Sequence, residues 1–280
     1  MPGSPLISAH ELHDLLEAGA GIRVLDVRYR LDKPDGRDDY RAWHLPGAVY
    51  VDMDTELATH GAPSEGRHPL PSRETLQDAA RRWGLHAGDA VVVYDDYRSV
   101  SAARAWWLLR GAGVSDIRVL DGGLSAWRAA GLPLETGDVS PEPGSIVFDG
   151  LDEGISIDDA AAWPQRGVLL DARAPERYRG ESEPFDPVAG HIPGAVNLPA
   201  DAVLDGASFA SPTAIRAAFE SAGVGGATPV AAYCGSGLTA AHTALAGAAA
   251  GLDVAVYPGS WSQWSNTAGR PVATGAEPGA

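Results

Sequence analysis

Val230-Ala231-Ala232-Tyr233-Cys234-Gly235-Ser236-Gly237-Leu238-Thr239-Ala240-Ala241-His242 passes from a short apolar run, through a glycine-bearing loop, into a helix-forming stretch. An apolar run of this length without polar alternation suits a strand buried on both faces of a parallel sheet. Gly235 and Gly237 allow the connection to curl, so that successive backbone N–H groups can turn inward. A helix beginning at Thr239 adds the positive end of its dipole, and the combination forms a nest for negative charge. Earlier in the chain, Val91-Val92-Val93-Tyr94 also ends on tyrosine and enters a polar loop, Asp95-Asp96-Tyr97-Arg98-Ser99-Val100-Ser101. One strand–loop–helix unit is therefore written twice.

The duplication extends outward from this pair. Val24-Leu25-Asp26-Val27-Arg28 returns as Leu169-Leu170-Asp171-Ala172-Arg173, and His44-Leu45-Pro46-Gly47-Ala48-Val49 returns as His191-Ile192-Pro193-Gly194-Ala195-Val196. Gly122-Gly123-Leu124-Ser125-Ala126-Trp127 is answered by Gly259-Ser260-Trp261-Ser262-Gln263-Trp264. The order is kept at a spacing of about half the chain, which marks a duplicated domain rather than a solenoid repeat. Strands are predicted at Arg23 to Val27, Ala90 to Tyr94, Gly167 to Leu170 and Val230 to Tyr233. Helices are predicted at Ala102 to Arg110 and Thr239 to Ala250. Capping boxes at Ser8–Glu11 and Ser156–Asp159 open a helix in each half. The fold class is α/β, with two tandem domains, each a mostly parallel sheet flanked by helices. The expected division is 1–138, a Pro- and Gly-bearing linker at 139–150, a second domain at 151–273 and a mobile tail at 274–280.

Composition narrows the function classes. The 280 residues carry 37 acidic and 21 basic side chains, a formal charge of −16, which disfavours nucleic acid and anionic membrane surfaces as partners. Lys33 is the single lysine and Cys234 the single cysteine. An internal disulfide, a Cys-x-x-Cys redox pair and multi-thiolate zinc sites are thereby excluded. No metal or organic cofactor is suggested. No apolar run approaches the ~20 residues a membrane helix needs, and Met1 to Pro5 shows no signal-peptide pattern. A cytoplasmic enzyme or binding protein is expected.

The chemistry concentrates on Cys234. A thiol in an anion nest at a helix N-terminus is favoured as thiolate, with pKa values in such settings of ~3.5–7.5. In the first half Asp95 stands where Cys234 stands in the second. A carboxylate cannot carry a second sulfur, so one active site per chain is expected, with the first domain non-transferring. His44 and His191 precede Pro-Gly turns and read as structural. Asp26 with Arg28, and Asp171 with Arg173, read as pairs that pin loops at strand ends.

With these motifs in order, the chain resembles the two-domain rhodanese family of sulfurtransferases over nearly its whole length. The resemblance implies that Cys234 takes a sulfane sulfur from a donor, holds it as a persulfide, and yields it to a thiol, to cyanide or to a thioredoxin-like protein. Within Cys234-Gly235-Ser236-Gly237-Leu238-Thr239, it implies that Gly235, Gly237, Leu238 and Thr239 shape the donor site. The loop is most similar to that of 3-mercaptopyruvate sulfurtransferases, with Leu238 where valine is usual. By the same resemblance Asp54 and His68, contributed by the first domain, join Ser236 in a proton relay, and Arg177 binds the donor anion. Two departures divide the donor assignment. Phe185 stands where mercaptopyruvate enzymes carry a second arginine, which favours thiosulfate. The loop lacks the basic residues of thiosulfate enzymes, which favours 3-mercaptopyruvate. A non-catalytic sulfur-carrier or interaction module is the alternative from another class. A cysteine phosphatase is less favoured, because the Cys-x5-Arg pattern would need arginine where Ala240 stands.

Overall fold

The computed structural model describes residues 3–279; Met1, Pro2 and Ala280, which enter the readings of the N-terminal segment and the tail, lie outside them. The chain forms two compact units. Among the described residues, one comprises 3–59, 70–152 and 205–209, and the other comprises 60–69, 153–204 and 210–279.

In the first unit the elements follow as β1 (Leu6–Ile7), α1 (Ala9–Glu17), β2 (Ile22–Asp26), α2 (Arg37–Ala42), β3 (Val49–Tyr50), α3 (Met53–Glu56), α4 (Arg73–Arg82), β4 (Ala90–Tyr94), α5 (Val100–Gly111), β5 (Ile117–Leu120) and α6 (Gly123–Ala129). The strands form one parallel sheet in the order β1-β5-β4-β2-β3. In the second unit come α7 (Ile157–Ala162), β6 (Val168–Asp171), α8 (Pro175–Tyr178), β7 (Val196–Asn197), a hairpin of β8 (Leu204–Asp205) and β9 (Ser208–Phe209) of which residues 205–209 count with the first unit, α9 (Pro212–Ser221), β10 (Val230–Tyr233), α10 (Leu238–Ala249), β11 (Val254–Val256) and α11 (Ser260–Asn266). The parallel order β11-β10-β6-β7 repeats β5-β4-β2-β3. Register repeats as well, with Asp26 beside Tyr94 and Asp171 beside Tyr233.

The apolar runs form the central strands because helices cover them. Val92, Tyr94, Leu120 and Trp127 share one core with Leu12 and Leu45; Leu169, Ala231, Tyr233 and Trp261 share the other with Ile192 and Trp264. Both capping boxes are present, at Ser8 with Glu11 and at Ser156 with Asp159. His44 and His191 are structural in the same way. Each is fully buried, stacks on a tyrosine (Tyr40 and Tyr178) and places Nδ1 against that tyrosine's carbonyl at 2.9 and 2.8 Å. The Asp-x-Arg pairs are buried ion pairs; the second arginine also donates to the Gly190 carbonyl at 2.6 Å.

Three features of the expected division are corrected. Residues 60–69 belong to the second unit: Gly66 has φ +93 and a Cβ there would meet the Gly259 carbonyl at 3.0 Å, and the Arg67 N–H donates to Ser262 Oγ. The stretch expected as a free linker is bound along the first unit, where the Gly144 and Ile146 N–H groups donate to the Arg81 and Leu85 carbonyls. The described part of the tail is also held, because the Gly275 N–H donates to Arg179 and the Pro278 carbonyl accepts from Gly194. Unpaired backbone groups are costly when they are removed from water, so residues 139–150 and the tail pair along the units they follow, and residues 60–69 pair with the start of α11 in the second unit.

Candidate active site

Cys234 leaves the C-terminal end of β10 and stands before α10, the position at which parallel α/β sheets present ligand sites. The loop between them is short and fully specified. The Cys234 N–H donates to Ser260 Oγ at 3.0 Å, the Cys234 carbonyl accepts from Trp261 at 2.9 Å, and the Gly235 carbonyl accepts from Ser262 at 2.8 Å. Three successive residues at the start of α11 thus fix the loop's path. Gly237, at φ +90, turns the chain into α10, and its N–H donates to Cys234 Sγ at 3.2 Å. Ser260 Oγ lies 4.0 Å from the same sulfur. Negative charge on sulfur is met here by a backbone donor and a helix N-terminus. Leu238 is buried and Thr239 half-buried in the first turn of α10, so the predicted helix begins one residue earlier than Thr239.

The first unit displays the same cradle with an anion built in. Asp95 is 1% exposed, and its carboxylate accepts from the N–H groups of Tyr97, Ser99, Ser101 and Ala102 at 2.9 to 3.0 Å. Burial pushes this carboxyl up to about 6 against the pull of those donors. The Asp95 carbonyl accepts from Leu124 just as the Cys234 carbonyl accepts from Trp261. Gly123 and Ser260 occupy equivalent positions with φ of +54 and +53. Serine at a left-handed position is strained, and here its hydroxyl is the group that holds the cysteine amide.

Among the residues expected to act with Cys234, the structure brings His68 and Ser236 together. His68 Nδ1 and Ser236 Oγ are 2.9 Å apart, and both side chains are buried at 5% and 8% exposure. The histidine comes from the 60–69 segment of the second unit rather than from the first domain as expected. Asp54 lies in the first unit on α3, half-buried, with its N–H donating to the N-capping Asp52.

Arg177, at the end of α8, faces the loop. A Cβ built on Gly235 would stand 3.4 Å from its Nη1 and 3.5 Å from its Nη2. Its outer edge is occupied by Glu183, with Nη2 to Oε1 at 2.7 Å and Nε to Oε2 at 3.2 Å. Glu183 also takes Arg173 Nη1 at 3.2 Å, which ties the Asp171–Arg173 pair to Arg177. Sequence reasoning missed Arg67. Its Nη1 lies 3.8 Å from the same Gly235 position, while Nη2 binds Asp186 Oδ1 at 2.6 Å. Burial pushes the Asp186 carboxyl upward, opposed chiefly by Arg67. Phe185 is 53% exposed, with the Arg67 and Arg177 guanidiniums each 5.3 Å from its ring centre. The adjacency of Arg67 to His68 was the available signal, but only the return of residues 60–69 to the loop gives it meaning. Ser260 was missed for the same reason.

Comparisons with known proteins place the chain in a family. The family profile for the rhodanese-like domain matches residues 8–130 and 156–267. The chain is 47% identical to "Putative thiosulfate sulfurtransferase SseB" of Mycobacterium tuberculosis (strain ATCC 25618 / H37Rv), covering 98% of both chains. It is 35% identical to the 3-mercaptopyruvate sulfurtransferase of Homo sapiens, over 92% of this chain and 91% of that one. Among solved structures it is similar to the 3-mercaptopyruvate sulfurtransferase SseA of Escherichia coli, with a TM-score of 0.82, 30% identity, and coverage of 92% of this chain and 99% of that one. Among the described residues no helix is long and apolar enough to cross a membrane. Two tandem rhodanese-like domains, a cysteine loop in the second and sequence relatives along nearly the full length identify the chain as a member of the rhodanese family and a sulfurtransferase.

Proposed function

We propose that the chain moves a sulfane sulfur from a small anionic donor, through a persulfide on Cys234, to a thiol or cyanide acceptor. The observation that carries the reading is the Gly237 N–H directed at Cys234 Sγ at the N-terminus of α10, with the Arg177 guanidinium against the next residue of the loop. The Cys234 thiolate attacks the donor sulfur, and the bond between that sulfur and the rest of the donor breaks. With thiosulfate, sulfite departs and no proton moves. With 3-mercaptopyruvate the leaving group is a carbanion stabilised as an enolate. The proton of the donor thiol must then reach carbon, giving pyruvate and an ionised persulfide. Cyanide next takes the outer sulfur as thiocyanate and regenerates the thiolate.

The buried His68–Ser236 hydrogen bond supports 3-mercaptopyruvate as the preferred donor, because that donor alone needs a proton carried. In this reading Ser236 and His68 handle the proton. Gly235, Gly237, Leu238 and Thr239 shape the loop. A lone thiol that must be regenerated suits a reducing, cytoplasmic setting, with a thioredoxin-like protein as one acceptor. Incubation with either donor followed by intact-mass measurement should add one sulfur atom per chain, lost in Cys234→Ser. Absence of an adduct with both donors would refute the reading. A kcat/KM comparison of thiosulfate with 3-mercaptopyruvate decides the donor.

A further inference from the structure

We propose that Arg67 is the second anion-binding residue of this site and holds the charged end of the sulfur donor together with Arg177; the inference rests on the sulfur-transfer reading above. The two guanidiniums arrive from distant parts of the sequence, yet their Nη1 atoms both lie within 4 Å of one point, the Cβ position of Gly235. Gly235 follows the sulfur nucleophile directly, so an anionic group at that point keeps its attached sulfur near Cys234.

The carboxylates beside them act as struts. Glu183 takes the Nε and Nη2 edge of Arg177, and Asp186 takes Nη2 of Arg67. Nη1 of each arginine, which faces Gly235, is taken by neither carboxylate, while Nη2 of Arg177, 3.5 Å from the same point, is held by Glu183. Fixing a guanidinium in advance lowers the ordering cost of binding, and its planar fork matches carboxylate and sulfonate oxygens. Phe185 offers its ring to both guanidiniums. The position where the resemblance expected a second arginine therefore supplies an aromatic support, and the charge comes from Arg67. Gly66, at φ +93 against α11, and the Arg67 N–H on Ser262 Oγ set the backbone from which the side chain reaches in.

The test compares the wild type with Arg67→Met, which keeps the aliphatic stem, and Arg67→Lys, which keeps the charge. Arg67→Gln is the substitute should Arg67→Met fail to fold. Steady-state rates are measured with each donor, and Cys234 alkylation with iodoacetate and with neutral iodoacetamide. Loss of a charge-assisted hydrogen bond corresponds to roughly a ten- to hundredfold change. KM for both donors should rise by that factor in Arg67→Met, with kcat little changed and partial recovery in Arg67→Lys. The iodoacetate-to-iodoacetamide rate ratio should fall in parallel. An unchanged KM and ratio would overturn the proposal, as would a loss confined to kcat, which would make Arg67 a positioning residue for His68. If the wild type accepts sulfur from neither donor, the sulfur-transfer reading fails, while the alkylation ratio still decides whether Arg67 binds anions.

Discussion

Replacing Asp95 by asparagine tests whether burial or hydrogen bonding governs the cradle of the first unit. The carboxylate is 1% exposed and receives four backbone N–H groups. Burial disfavours the anion and the donors favour it. The balance leaves the folded-state pKa at about 6, above the ordinary 3.8. Between about pH 4 and 6 the folded state therefore holds more protons at this site than the unfolded state. Its stabilising contribution is complete below the unfolded pKa and is lost as pH rises through the folded one. A shift of about two units at 1.36 kcal/mol each gives a loss of about 3 kcal/mol across the window. Asp95→Asn abolishes the titration. It also costs stability at every pH, because Nδ2 cannot accept the two N–H groups that Oδ2 accepts. Urea unfolding of the first unit, followed by tryptophan fluorescence at pH steps from 3.5 to 7.5, gives the wild-type-minus-variant difference, in which other titrations cancel. That difference should fall by about 3 kcal/mol from low to neutral pH. A flat or rising curve would refute the reasoning and show that the four donors outweigh burial.

Substitutions at three positions probe the second unit. Ser236→Ala removes the hydrogen bond to His68 and should lower kcat for 3-mercaptopyruvate by about 10²-fold or more, while thiosulfate turnover changes little; equal losses would remove the pair from proton transfer. Gly235→Ala adds a methyl group at ordinary contact distance from Arg177 and Arg67, so stability should stay within about 0.5 kcal/mol while donor KM rises; a large drop in melting temperature with KM unchanged would contradict it. Ser260→Ala orphans the Cys234 N–H and should cost about 1–3 kcal/mol, whereas Ser260→Gly loses the same bond but relieves the left-handed strain. Thermal denaturation should therefore rank Ser260→Gly above Ser260→Ala, and the reverse order would show that φ +53 carries no strain.

Much of this protein is legible in one dimension because its decisive signals are local. Continuous apolar runs give buried parallel strands at Ala90–Tyr94 and Val230–Tyr233, capping boxes open α1 and α7, and paired motifs reveal the duplication. Cys234 stands out because it is the single thiol on a loop whose glycines and following helix can be read from adjacent residues. The partners of that loop are another matter. Ser260 holds the cysteine amide across 26 positions, His68 meets Ser236 across 168, and Arg67 meets Asp186 across 119. No local periodicity encodes these encounters. They depend on residues 60–69 folding into the second unit, and on the parallel order β11-β10-β6-β7 bringing the start of α11 beside the end of β10. Short-range propensity determined the strands, the helices and the nucleophile; long-range chain closure, driven by burial and by the need to pair every buried polar group, decided which side chains surround it.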